Sequence, residues 1–283
     1  TYHSANGRLM CHYCGHSEPA YERCPQCGGI MKHIGTGTQK VEEELHALFP
    51  GAKVLRMDTD TVGASHGHEK LLRQFEEEKI PILLGTQMVA KGLDFENVTL
   101  VGVLCADASL YIDNYRAPER TFSLLSQVVG RAGRGSKQGR AIIQTFTPEN
   151  EVIRAAAAQD YDAFYESEIR MRRLRRYPPF ADLFSFTVTG SDESRVIRAA
   201  KALRDALGYA VERREELKPL SIEVLGPAGA SVVKVNNRYR YRVFLVGKGC
   251  PALRRLVAEY LYAFYQHKEN RGLDIFADCN AIQ

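Results

Sequence analysis

The sequence predicts an α/β protein in three parts: a parallel-sheet lobe, a short cysteine-bearing module before it, and a small α+β domain after it. Three observations carry that expectation. Between residues 35 and 146, apolar runs at 54–57, 82–84, 98–104 and 141–146 alternate with segments of helical spacing. Alternation at that density specifies parallel strands joined by helices. Four of the seven cysteines, Cys11, Cys14, Cys24 and Cys27, fall within the first tenth of 283 residues. Beyond residue 180 the patterns run β-α-β-β-α-β, an order that suits a split βαβ sandwich. The expected divisions are a module at 1–33, the lobe at 34–150, a linking helix at 151–180 and the last domain at 181–283.

Composition allows at least one sizeable core, since 45% of the residues are hydrophobic. No apolar run approaches the ~18 residues a membrane helix needs, and the start carries no secretory pattern. Residues 1–150 hold 16 Lys and Arg against 17 Asp and Glu, whereas 151–283 hold 22 against 17. The positive excess therefore lies in the second half, the first place to look for a polyanion surface.

Residues 8–29 read RLMCHYCGHSEPAYERCPQCGG, two C-x2-C knuckles nine residues apart, each followed by glycine (Gly15, Gly28). Thiolates on such turns can share a metal, and four of them at this spacing signal structural zinc. The alternative, a disulfide framework, goes with secreted chains. His3, His12, His16 and His33 are spare ligands better read as surface residues, and Cys105, Cys250 and Cys279 as core or edge residues.

The lobe should begin with a helix over 35–50, opened by Thr36 or Thr38. A strand at 54–57 and a helix over 68–78, with Leu71, Leu72 and Phe75 on one face, come next. The strand at 82–84 stops at Gly85-Thr86, delivering a loop to the carboxyl edge of a parallel sheet, where such proteins place ligands. The strand at 98–104 leads toward Asp107. Residues 117–129 then have helical spacing and run into Gly130-Arg131-Ala132-Gly133-Arg134-Gly135. Two arginines three apart in glycine-flanked backbone can fork onto a polyphosphate held by another domain. A basic helix end in solvent is the plainer reading, but Gln127 one turn earlier and the Gly92-Leu93-Asp94 loop argue against it.

Residues 148–176 are expected as one long helix with Arg170, Arg172, Arg173, Arg175 and Arg176 crowding its end. Arg170, Arg173 and Arg176 could line a DNA backbone, or the run could pair with acids as a solvated face; both readings stay open. Tyr177-Pro178-Pro179-Phe180 breaks the helix. In the last domain, strands at 183–189, 222–225, 239–246 and 273–276 and helices at 193–216 and 251–267 are expected. Within 238–242 (RYRYR), period-2 alternation places Arg238, Arg240 and Arg242 on one face and two tyrosines on the other. That face could bind single-stranded nucleic acid, or the tyrosines could pack on a helix with the arginines merely solvated.

GTQMVAKGLDF (85–95) resembles motif V, and QVVGRAGR (127–134) motif VI, of superfamily 2 helicases. The AKGLDF spelling, the stretch Tyr115-Arg116-Ala117-Pro118-Glu119-Arg120 and the upstream cysteines resemble the primosomal replication-restart helicases of the PriA family. The resemblance implies a second RecA-like lobe and an ATP-dependent, 3′-to-5′ DNA helicase that restarts replication at stalled forks. It implies that Arg131 and Arg134 face the γ-phosphate of magnesium-bound ATP, that Gly92 and Asp94 lie near the ribose, and that Thr86 touches a DNA phosphate. Gln127 belongs with the nucleotide set.

The resemblance also implies two interleaved zinc sites built from eight cysteines. Cys11 and Cys14 would then serve one site and Cys24 and Cys27 the other, although the four could close on a single zinc. Implied partners are forked and single-stranded DNA, single-strand-binding protein and other primosome proteins, for a monomer in the bacterial cytoplasm at the nucleoid. This sequence has neither a GxxxxGK[ST] run nor a DExH box, so the chain alone is expected to be inactive, with its ATP site built mainly elsewhere. The rival readings are a non-enzymatic zinc-dependent scaffold of the primosome and another translocase of the same superfamily.

Overall fold

A computed structural model describes residues 2–3, 8–10, 16–31, 38–57, 67–86, 98–112, 114–130 and 139–280. They fall into two compact units. One gathers residues 1–31, 112–116 and 167–283, and the other 32–111 and 117–166.

Strands β1 (Tyr2–His3), β2 (Arg8–Met10) and β3 (Ser17–Pro19) pair antiparallel in the order β1-β2-β3. The Arg8 guanidinium crosses that ladder, donating to the Ser17 hydroxyl at 2.7 Å and its carbonyl at 2.9 Å.

The lobe follows. Helix α1 (Thr38–Leu48), strand β4 (Val54–Met57), helix α2 (Gly67–Glu77) and strand β5 (Ile82–Gly85) come first. Then come β6 (Leu100–Val103), the one-turn α3 (Asp107–Leu110), α4 (Ala117–Val129) and β7 (Arg140–Ile143). The strands are parallel, as their apolar runs predict: β4 with β5, in register from Val54↔Ile82 to Met57↔Gly85, and β6 with β7, from Leu100↔Arg140 to Val103↔Ile143. β6 and β7 are shorter than their runs. The ladder closes with Gln144 N–H donating to Val103 and Ala106 N–H to Gln144, and between Val103 and Ala106 the chain turns at Cys105, left-handed at φ 54°.

The expected single helix over 148–176 is instead two, α5 (Glu151–Ala158) and α6 (Tyr161–Arg175). Gln159 is left-handed at φ 55°; its N–H returns to the Ala156 carbonyl and that of Asp160 to Ala155. This paired return is a Schellman stop. Asp160 then caps the next helix, its carboxylate accepting from Ala163 N–H at 2.9 Å. Ile153, Ala155 and Ala156 of α5 and Phe164 of α6 join Phe122 and Leu125 of α4 in one core. There Phe122 stacks on Phe164 at 4.2 Å between centroids.

The last domain is the expected β-α-β-β-α-β. Its elements are β8 (Asp182–Gly190), α7 (Glu193–Arg213), β9 (Glu223–Val235), β10 (Arg238–Gly247), α8 (Pro251–Gln266) and β11 (Asp274–Cys279). The sheet order is β11-β8-β10-β9, antiparallel throughout. Alternate residues of β8 and β10 (Phe184, Phe186, Val188, Val243 and Leu245) meet Val196, Leu203 and Leu207 of α7 and Leu253 and Leu256 of α8. Each such side chain taken fully out of water contributes about 1.5–3 kcal/mol. β9 outruns the expected 222–225 because Asn236 and Asn237, both at positive φ (49° and 60°), make a two-residue hairpin whose twist matches the strands. The Tyr265 hydroxyl donates to the Ile275 carbonyl and accepts from its N–H, both at 3.2 Å, along the open edge of β11.

Candidate functional site

The first candidate site gathers where α4 ends. Thr121, fully buried, donates to the Ser109 hydroxyl at 3.1 Å, which in turn donates to the Ala106 carbonyl at 3.1 Å. These bonds, with Phe122 and Leu125 in the core, fix α4 against the turn that follows β6. At its far end, Gly130 N–H donates to the Ser126 carbonyl at 3.0 Å, and the Gln159 amide reaches the same oxygen at 3.3 Å. A Cβ at Gly130 would stand 3.0 Å from Gln159 Nε2 and 3.2 Å from the Ser126 carbonyl, so glycine suits this crowded exit. Gln127 is exposed there, its amide donating to Ser123 at 3.1 Å. Arg131 and Arg134, next along the chain, lie outside the described residues, as do Gly92 and Asp94. Thr86 is exposed immediately past the carboxyl end of β5, as the sheet-edge argument requires.

Sequence reasoning missed Asp107, which is 3% exposed at the carboxyl end of β6. One carboxylate oxygen accepts from the hydroxyls of Thr147 (2.7 Å) and Thr145 (3.0 Å), and the other from Phe146 N–H (3.0 Å). Burial alone would raise its pKa. The donors from Thr147, Phe146 and Thr145 outweigh that and hold it below the ordinary carboxylate value. The partners lie 38–40 residues away, a separation no local pattern signals.

In the cysteine module, Cys24 N–H donates to the Gly29 carbonyl and Gly28 N–H to Cys24, both at 2.8 Å, with Gly28 at φ 70°. The turn aims the backbone N–H groups of Cys27 and Gln26, and the Cys27 thiol, at the Cys24 sulfur. They lower its pKa and favour the thiolate a metal requires. Cys24 and Cys27 thus fit a zinc knuckle. Cys11 and Cys14 lie outside the described residues, and among the described residues no three His, Cys, Asp or Glu side chains converge as a metal-holding set. Cys24→Ser is expected to weaken zinc binding by at least about 10–100-fold, read by chelator competition and metal analysis.

The candidate nucleic-acid residues are largely engaged within the chain. Arg173 lies over the Phe180 ring at 4.9 Å, and Arg176 donates to the Ser221 carbonyl at 2.6 Å. Arg170 is exposed on α6. Arg238 pairs with Asp274 and donates to the Thr189 carbonyl at 3.2 Å. Arg240 donates to Val232 at 2.8 Å, and Arg242 is half-buried. Tyr239 and Tyr241 pack on the helical-face core, so the aromatic part of the expected single-strand surface is turned into the domain. The Tyr241 hydroxyl donates to Glu193 at 2.8 Å. Burial, reinforced by that carboxylate, pushes its pKa well above the usual phenol value.

Comparison with known proteins names the parts. Residues 34–136 match the helicase conserved C-terminal domain, which makes the α/β unit a carboxyl-terminal helicase lobe. Residues 1–19 match the PriA DNA helicase Cys-rich region domain and 173–280 the primosomal protein N C-terminal domain. The chain is similar to the replication restart protein PriA of Bacillus subtilis, at 42% identity over 281 residues (99% of this chain, 34% of that protein). It is likewise similar to those of Synechocystis (40%, 87% of this chain and 29% of that protein) and Treponema pallidum (37%, 93% and 39%). The chain belongs to the PriA family of replication restart proteins. It spans about a third of the length of the curated relatives it matches.

Proposed function

We propose that the chain supplies the second lobe, zinc-binding module and carboxyl-terminal domain of an ATP-dependent DNA helicase that restarts replication at stalled or branched forks. The observation that carries this is α4: a helix pinned at Thr121 and stopped at Gly130, immediately before Arg131 and Arg134, in a segment matching a helicase domain. In this reading ATP and magnesium bind between this lobe and one bearing the phosphate loop. Arg131 and Arg134 bring guanidinium to the γ-phosphate, Gly92, Asp94 and Gln127 contribute to the nucleotide side, and Thr86 meets a DNA phosphate at the sheet edge. Hydrolysis reopens the cleft, and repeated cycles move the lobes 3′ to 5′ along one strand.

The proposed division of labour is the module at 1–33, the lobe at 34–150, the link at 151–180 and the carboxyl-terminal domain at 181–283. Cys24 and Cys27, with Cys11 and Cys14, hold one or two zinc ions, which supply folding energy to a segment too short for its own core. Arg170 and the arginine face of β10 are the candidate DNA contacts. Single-strand-binding protein and other primosome proteins complete the partners of a cytoplasmic, nucleoid-associated monomer. Among the described residues no helix is long and apolar enough to cross a membrane.

The test is ATP hydrolysis with and without forked DNA, by this chain and by a version extended upstream. The chain alone is expected to be inert and the extended version to be DNA-stimulated. Turnover by the chain alone would defeat the division of the ATP site; inertness of both would favour a scaffold.

A further inference from the structure

Gln159, in the turn between α5 and α6, has a left-handed backbone at φ 55° and ψ 30°. Glycine adopts that conformation freely, whereas a residue with a Cβ is strained in it. Glycine would relieve the strain, so the glutamine is explained by its side chain rather than by its backbone. That side chain reaches back 33 residues: Nε2 donates to the Ser126 carbonyl at 3.3 Å, the oxygen that also accepts from Gly130 N–H at 3.0 Å. Gly130 fits the same account. Its φ is not positive, so its backbone does not call for glycine, but a Cβ there would stand 3.0 Å from the Gln159 amide. The glycine leaves room for the amide, and the strained backbone aims it.

The carbonyl they share belongs to the last turn of α4, which is weak by composition. Val128, Val129 and Gly130 are all poor helix formers. The end of a helix frays unless something outside it supplies partners. Gln159 does so from a fixed point. Ile153, Ala155 and Ala156 of α5 pack with Phe122 and Leu125 of α4, and the Schellman stop sets Gln159 directly after them. Arg131 follows Gly130 with about 3.8 Å between Cα atoms, so it departs from wherever this turn ends.

We propose that Gln159 is a positioning residue: its amide fixes the last turn of α4 and so the point from which Arg131 and Arg134 leave the helix. All of these residues lie in one compact unit. The consequence for turnover rests on the helicase reading above; the hold on the helix end does not.

Two variants separate the amide from the backbone. Gln159→Gly removes the amide and relieves the left-handed strain, while Gln159→Asn tolerates the conformation but is one methylene too short to reach Ser126. By hydrogen exchange in this chain, both are expected to speed the amides of 127–130 about three- to tenfold, the loss of one hydrogen bond. Amides of 155–158 should be unchanged or slower with glycine, because the stop of α5 is not weakened. In the upstream-extended version both variants should slow DNA-stimulated ATP hydrolysis about three- to tenfold, and add less than about twofold to Arg134→Ala. A purely structural role predicts otherwise for glycine, a firmer turn with full activity. The proposal is overturned if exchange at 127–130 is unchanged in both variants. It is equally overturned if the slowing multiplies in full on Arg134→Ala, or if turnover is untouched while Arg134→Ala abolishes it. An Arg134→Ala protein with intact turnover would instead defeat the helicase reading, and exchange would still decide whether Gln159 holds α4.

Discussion

Arg134→Ala, in a version of the protein carrying the complete ATP site, is expected to slow DNA-stimulated ATP hydrolysis by about two to four orders of magnitude. That corresponds to about 3–5 kcal/mol of transition-state stabilisation. The charge that develops on a transferring phosphoryl group is spread over three oxygens, and a fork of N–H donors matches it better than any point charge. Arg134→Lys should therefore recover only part of the loss. Nucleotide binding should change far less than turnover, because the interaction strengthens as the reaction proceeds. Steady-state rates paired with nucleotide affinities separate the two, and a loss in turnover smaller than tenfold would remove Arg134 from the reaction.

Asp107→Ala should lower the stability of the lobe by about 1–3 kcal/mol, since it removes the shared charged acceptor of two half-buried threonine hydroxyls and the Phe146 N–H. The pH dependence has a definite sign. The carboxyl pKa is lower in the folded state than in the unfolded chain, so its stabilisation is fully present above the ordinary value of about 3.9. It is lost as pH falls through the depressed folded value. The difference between parent and variant should therefore be flat from about pH 5 to 8 and shrink below about pH 4. The chain has no tryptophan, and units that unfold separately blur a single midpoint. Exchange of peptides from β6 and α4 across a urea series is the suitable readout. A difference that persists unchanged into acid would mean the carboxylate is not what holds the turn.

The carboxyl-terminal domain was legible almost element by element because β8 and the first half of β10 alternate and α7 carries its buried residues at helical spacing. β9 ran longer than its apolar core because the hairpin turn, rather than hydrophobicity, sets its length. The break between α5 and α6 was hidden: a left-handed Gln159 offers no glycine or proline as a signal, and the alanine run beside it reads as continuous helix. Within the site, the motif strings marked α4 and Thr86, and the knuckle spacing marked Cys24 and Cys27. Asp107 and Gln159 were missed for one physical reason. Their partners lie far along the chain, the Ser126 carbonyl being 33 residues from Gln159, and only the folded backbone brings them together. The tyrosines of RYRYR show the converse: alternation placed them together on one face and left open whether a ligand or a helix covers it, and the core does.

The phenol that straddles Ile275 has a consequence for self-association. A sheet whose outermost strand leaves N–H and C=O groups unpaired is a template on which another copy can extend the ladder. At Ile275 one tyrosine occupies both the donor and the acceptor, so a strand arriving alongside β11 would have to displace Tyr265 before its first bond formed. The opposite border, β9, carries Pro227, which has no N–H to offer, and slips register twice against β10. Growth by strand addition is thus obstructed at Ile275 on one flank and at Pro227 on the other.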